Sequence, residues 1–202
     1  MTSGENPPPS SPEEGGLPES PAEFASLENS DAGRYDALVE QVAVVQAAWA
    51  FLVPAVVNGD LQSVWHLVDL PLRAQLAWQW VEDNAEQLRE HGHDLRASAI
   101  GIVDLPAGKR PLWEHFERVH VRGLREAFPD PEHWGIGATR RPLADELMLI
   151  HVVDKAKLAD GETWQVGEEQ YVYPIVLRKL DAQWVIASLG NSPLTSQGLT
   201  VQ

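Results

Sequence analysis

The chain has 202 residues, no Cys and a formal net charge of −15 with His neutral. That length suits one domain plus a tail, and the charge repels phosphate backbones and anionic lipid, so neither nucleic acid nor a membrane surface is expected as a partner. Without thiols there is no disulfide framework and no thiolate zinc site.

No basic and apolar leader opens the chain. No apolar run reads as long as the roughly 18 residues needed to cross a bilayer. The cytoplasm is therefore the expected compartment. Hydrophobic residues make up 44% of the chain, enough for an ordinary core.

Residues 1–33 differ from the rest. They hold Pro7, Pro8, Pro9, Pro12, Pro18 and Pro21, seven acids and no Lys or Arg. The remainder carries −8 of the −15. Such a stretch buries too little apolar area to offset its ordering entropy, so a disordered acidic arm is expected. Phe24 and Leu27 are the anchors it offers to a protein partner. Residues 34–202 are expected to form a single domain.

A helix is expected from about Asp36 to Asn58. Val42, Val45, Trp49, Leu52 and Val56 recur at spacings of three and four and mark a buried face. Pro54 should kink it and Gly59 should end it. "LQSVWHLV" (61–68) reads as a short second helix. Asp69 caps a third, which Pro71 opens. In that helix Leu72, Leu76 and Trp80 form one stripe, and Trp78, Val81, Ala85 and Leu88 a second. "RASAIGIVDLP" (96–106) reads as a short strand. "PLWEHFERVHVRGLREAF" (111–128) reads as a helix with Trp113, Phe116, His120 and Leu124 on one side.

From there the apolar period changes. "ELMLIHVVDKAKL" (146–158), "WQVGEEQYVYPIVLRKL" (164–180) and "AQWVIASLG" (182–190) read as strands rich in Val, Ile and aromatics. Leu180 to Gln183 should turn a hairpin, though Asp-Ala suits that turn less well than Asp-Gly. Pro174 inside a strand implies an edge or a bulge. Helices first and antiparallel strands after give an α+β layout.

A long helix ending in "VNGD" (57–60), two further helices, and a final hairpin "VLRKLDAQWVIASLG" (176–190) resemble the nuclear-transport-factor-2-like superfamily, also called the cystatin-like cone. The likeness covers roughly residues 38–191. It implies N-terminal helices on a curved antiparallel sheet that forms a conical cavity, usually in a homodimer. It names no single activity, since the superfamily holds isomerases, cyclases, hydrolases and dehydratases beside binding modules, and fold does not fix function. The helix at 111–127 is an addition to its smallest members.

Within such a cone, Trp65, Trp80 and Trp113 would line a ligand pocket, each offering a flat wall and an N–H donor. An isomerase or cyclase of this superfamily needs a base at depth and a donor for an enolate oxygen. Candidate bases are His66, Asp69 and Asp104, and candidate donors are Tyr171 and Tyr173. For Asp69 the competing role is helix capping, and for the two tyrosines it is cross-strand packing. His120 and His151 lie among apolar residues, where a hydrogen-bonded core role is commoner than a base. His91 and His93 in "EHGHD" diverge on a helix end, so no metal is expected. "GIGATRR" (135–141) joins no strand to a helix in a βαβ unit, so it is no dinucleotide fingerprint. Arg140 and Arg141 are expected to begin a strand. No cofactor is implied.

The reading is a non-catalytic binding or protein-interaction module, with a small-molecule isomerase, cyclase or lyase acting on an apolar ring compound as the alternative. A homodimer is expected through the outer sheet face. Tyr171, Tyr173, Ile175 and Leu177 should share one face, and Val172, Val176 and Leu180 the other, which then needs a cover. Removing residues 1–33 is expected to leave the melting temperature unchanged. A fall of more than a few degrees would show that the arm packs on the domain.

Overall fold

The computed structural model describes residues 31–104, 111–138, 146–159, 161 and 164–190. The expected arm up to residue 30, with Phe24 and Leu27, lies outside them, as do Arg140 and Arg141. The chain divides into two compact units, Met1–Leu38 and Val39–Gln202. Of the first, the structure describes the opening of helix α1 (Asp31–Leu52). That helix starts five residues earlier than expected, so residues 31–33 are helical.

In the second unit, α1 continues into a π-helical turn, Val53–Asn58. Pro54 cannot donate to the preceding turn. The chain answers by widening its register into a single π turn. The Pro54 carbonyl then accepts from the Gly59 N–H and from Asp60 N at 2.9 Å. Gly59, at φ 74°, ends the helix in the left-handed region. A Cβ there would also meet Arg125 Nη2 at 3.0 Å.

The buried stripe of this helix is Val44, Ala48, Phe51, Leu52, Ala55 and Val56. Of the five residues expected to face inward, Leu52 and Val56 do; Val42 and Trp49 are exposed and Val45 is half-buried. Spacing could not choose the face, because apolar residues occupy every side of residues 42–57. The same property makes Gly33–Asn58 long and apolar enough to cross a membrane by length and composition. This corrects the expectation that no run reaches that length. A third of the apolar window is nevertheless buried inside the chain.

Helix α2 (Leu61–Val64) and a 3-10 turn (Trp65–Leu67) follow, with Asp60 capping α2 through Ser63 N. Helix α3 (Leu70–Asp83) is capped by Asp69 and has Pro71 in its first turn, as expected. Leu72, Trp80 and Val81 are buried, whereas Trp78 of the second expected stripe is exposed. A short α4 (Ala85–Glu90) leads to α5 (Leu95–Val103). The segment expected as a strand is therefore a helix. Its cap is Asp94, whose Oδ1 accepts from Ala97 N at 2.7 Å. Capping supplies a partner to an orphan first-turn N–H, which outweighs the β-branched run that follows. Helix α6 (Pro111–Ala127) buries Trp113, Phe116 and Val121.

The sheet is open, antiparallel and four-stranded, in the order β1 (Trp134–Ala138), β2 (Leu147–Asp154), β3 (Val172–Leu180), β4 (Gln183–Leu189). Strand β1 falls in the Gly-rich segment just before Arg140, for which no element was expected. Alternation sorts the two faces. Met148, Ile150, Val152, Ile175, Leu177 and Ile186 join the main core with the helices. Leu147, Val176 and Ala187 form a second, smaller cluster with Leu149. Tyr171 precedes β3 in a 3-10 turn (Glu169–Tyr171), so it does not share a strand face with Tyr173.

Pro174 lies in an interior strand, paired with His151 of β2. Its carbonyl points toward β4 and accepts from Gly190 N at 2.9 Å. An N–H at Pro174 would point to that same side, toward Gly190 just past the end of β4, so the pair makes one bond where another residue could make two. The register shift in β3 comes two residues later, at Val176/Leu177.

The hairpin turn falls where expected. Asp181 and Ala182 both have positive φ, 47° and 68°, the type I′ pattern. A non-Gly residue there costs roughly 1–2 kcal/mol. Ala182→Gly should therefore raise stability by about 1 kcal/mol, less the unfolded-state entropy of Gly. A urea midpoint that does not rise would show that the turn is unstrained.

Candidate functional site

The indoles expected to line a pocket instead pack on one another. Trp65, Trp80 and Trp113 are all buried. Trp65 meets Trp113 and Phe116 edge-on, with ring centroids 5.4 Å away in each case. Trp113 lies 5.2 Å from Phe116 and Trp80 lies 6.1 Å from it. These are the separations at which tilted and edge-to-face aromatic pairs are favourable. The rings come from the 3-10 turn after α2, from α3 and from α6, so the cluster ties three helical segments together. Trp65 Nε1 donates to the Ile102 carbonyl of α5 at 3.0 Å. The indole N–H groups of Trp80 and Trp113 are buried without an acceptor among the described residues.

Asp69 stands at the junction of helices and sheet. Val68 pairs in parallel with Ile186 of β4, and Asp69 N donates to the Ile186 carbonyl at 2.9 Å. Asp69 Oδ1 accepts from Leu72 N at 2.9 Å. Asp69 Oδ2 lies 3.1 Å from Arg178 Nη1 of β3. That oxygen has no aligned hydrogen bond, so the guanidinium meets it as a charge rather than as a directed donor. The carboxylate is 1% exposed and the arginine 29%. Burial pushes the Asp69 carboxyl above its ordinary value of 3.8, against the pull of the Leu72 amide, Arg178 and Arg73.

The remaining candidates do not converge on Asp69. His66 is exposed on the 3-10 turn. Asp104 is exposed at the C-terminal end of α5. Tyr171 is half-buried, with Lys157 Nζ 5.9 Å from its ring centre. Tyr173 packs on Phe128 at 3.8 Å between ring centroids. Burial pushes its hydroxyl up to about 12. His120 bonds the Phe116 carbonyl through Nδ1 at 2.9 Å. Burial holds it below the ordinary imidazole range, with that hydrogen bond and Asp83 opposing. Burial also lowers His151, whose ring lies 5.7 Å from Trp164. His91 Nδ1 lies 2.7 Å from the Gln87 carbonyl on an exposed turn. Among the described residues no group of three or more His, Asp or Glu converges to hold a metal.

Three arrangements escaped the sequence. Asp154, buried at the end of β2, meets Lys157 Nζ at 3.1 Å and His133 Nδ1 at 3.7 Å, and accepts from Ala156 N at 3.2 Å. Asp154-Lys157 is a local signal, but His133 is remote in sequence. Arg125 donates from Nε to the Val56 carbonyl at 2.7 Å and from Nη2 to the Val57 carbonyl at 2.8 Å, closing the π turn. A surface hollow of about 600 Å³ adjoins it, lined by Gly59, Glu117, Arg118, Val121 and Arg122 among others. A second of similar size lies by the hairpin, where Lys179 Nζ pairs with Glu40 Oε1 at 2.8 Å beside Trp184.

No protein-family model, curated protein or solved structure matches the chain. The class established by its own coordinates is α+β, helices packed on an open four-stranded antiparallel sheet.

Asp69 generates a signed prediction. A carboxyl whose folded pKa is raised binds its proton more tightly in the folded chain. Its contribution to stability therefore grows as pH falls through that folded value, and is complete below the unfolded one. Asp69→Asn keeps a capping oxygen but never titrates. At pH 7 the lost Arg178 attraction and the relieved desolvation oppose one another, so the change should stay within about 1 kcal/mol. The gap should then widen in favour of the parent chain as pH falls from 7 toward 4. Asp69→Ala, which also removes the cap, should cost a further 0.5–2 kcal/mol or so. Denaturant midpoints across that pH range check both, and a narrowing gap would contradict the raised value.

Proposed function

We propose that this chain is a non-catalytic binding or protein-interaction module with the helix-on-cone arrangement of the nuclear-transport-factor-2-like superfamily, working in the cytoplasm. The order of elements and the final hairpin support that affinity. The observation that carries the functional reading is the mutual packing of Trp65, Trp80, Trp113 and Phe116 where a substrate would need room. The acids at depth support it too. Asp69 is held by an amide and a guanidinium, and Asp154 by an amide and an ammonium. A general base needs a lone pair aimed at substrate; Asp69 Oδ1 is taken by the Leu72 amide, and Oδ2, though it accepts no aligned hydrogen bond, faces the Arg178 guanidinium. Tyr173, pushed up to about 12 and wedged against Phe128, is a structural phenol.

One observation favours the second reading, an isomerase, cyclase or lyase of an apolar ring compound. The N–H groups of Trp80 and Trp113 lack acceptors among the described residues, and a carbonyl oxygen on a ring ligand would supply one. The two readings separate in a screen of ring ketones and lactones, read by Trp emission, melting temperature and turnover. The expected result is no saturable change in any of the three. A compound that quenches emission saturably and is turned over, with both effects lost in Trp80→Phe, would establish the enzyme instead.

A further inference from the structure

We infer that the Asn58-Gly59 step is a deamidation site, kept unreactive by the π turn it closes and by the clasp of Arg125 on that turn. The chain has a single Asn-Gly step, and it falls at the end of the π-helical continuation of α1. Asn is a chemically labile residue, and a following Gly is the least hindered nucleophile because no Cβ screens its nitrogen. Asn58 is exposed to water. In the reaction Gly59 N bonds to Asn58 Cγ and the Cγ–Nδ2 bond breaks. Nδ2 leaves as ammonia, taking the Gly59 N–H proton. One water then opens the five-membered imide at either carbonyl. The product is an aspartyl or isoaspartyl residue with one new negative charge.

The folded geometry opposes the first step. The Gly59 N–H donates to the Pro54 carbonyl, the bond that closes the π turn, and Asp60 N reaches the same oxygen at 2.9 Å. Ring closure needs the Asn58-Gly59 peptide rotated out of its helical setting. Gly59, at φ 74°, fixes the far side of that peptide.

The group that resists this rotation is remote in sequence. Arg125 of α6 donates from Nε to the Val56 carbonyl at 2.7 Å and from Nη2 to the Val57 carbonyl at 2.8 Å. These carbonyls lie in the last turn, where a helix leaves acceptors unpaired. The two peptides ahead of the reacting one are therefore each bonded to the same guanidinium. That guanidinium also packs on Gly59, where a Cβ would lie 3.0 Å from Nη2. Deamidation thus waits on local opening of the turn, which has its own free energy below that of global unfolding. An isoaspartyl link adds a methylene to the main chain at this point. It carries the Gly59 and Asp60 N–H groups away from the Pro54 carbonyl, so the turn does not reclose in its π register. The modification is a one-way loosening of the end of α1 from α6.

The test incubates the full chain in mildly alkaline buffer and digests it with trypsin. The peptide 35–73, bounded by Arg34 and Arg73, holds no other Asn, so its mass gain reports residue 58 alone. The folded chain should convert at least about 100-fold more slowly than the same chain in urea. Arg125→Gln should convert about tenfold faster than the parent, the factor that one hydrogen bond to a charged group carries, with far-UV dichroism held. If that variant unfolds, Arg125→Lys, which keeps the charge and loses the fork, takes its place with the same expectation. Val176→Ala, in the separate cluster on the other sheet face, lowers global stability without touching the clasp and should leave the rate unchanged. Equal rates in buffer and urea would show that the turn shields nothing. Acceleration by Val176→Ala equal to that by Arg125→Gln would assign the protection to the fold as a whole. Either result overturns the inference, as does an unchanged rate in the folded Arg125 variant.

Discussion

Burying a carboxylate at the seam between two layers is the constraint from which much of this architecture follows. Removing Asp69 from water costs several kcal/mol. Its environment offsets that cost with the Leu72 amide and the Arg178 guanidinium. Each partner belongs to a different element, and the Asp69 N–H reaches a third, the Ile186 carbonyl of β4. One residue thus starts α3, holds β3 and occupies the free edge of β4. An exposed strand edge invites pairing with other chains; here Val68 and Asp69 fill part of it.

Around that joint the interior is closed by aromatic rings rather than by aliphatic side chains alone. Fully burying each large apolar side chain is worth about 1.5–3 kcal/mol, and tilted ring pairs add about 0.5–1.5 kcal/mol. Helices α3 and α6 and the turn after α2 converge on Phe116 because each presents an indole there. Two indole N–H groups without acceptors among the described residues are the cost of choosing Trp where a smaller apolar ring has nothing to leave unpaired.

Helix α1 is governed by a different balance. Its apolar residues exceed what one face can bury, so half of them meet solvent. The π turn at Val53–Asn58 and the fork of Arg125 on the Val56 and Val57 carbonyls anchor its C-terminal end. That leaves an uncharged stripe on an acidic chain. Net charge of −15 keeps most of the surface apart from its own copies. The stripe lacks that repulsion.

The amino-acid sequence by itself determined what local rules govern. Asp69 with Pro71, Gly59 after Asn58 and Pro111 announce helix ends, because caps and breakers act through their own backbone. Leu180 to Gln183 announces a hairpin for the same reason, and Val- and Ile-rich segments announce strands. Residues 95–103 were illegible as a helix because their apolar run fits either period, and the Asp94 cap just before them settles the matter. Strand β1 was illegible because five residues with two Gly carry almost no pattern. The buried face of α1, the burial of Asp69 beside Arg178, the joining of His133 to Asp154 and the filling of the interior by Trp65, Trp80 and Trp113 were decided by tertiary structure alone. Each depends on which remote surfaces meet, and hydrophobic burial is non-directional: it rewards the area covered without naming the neighbour that covers it.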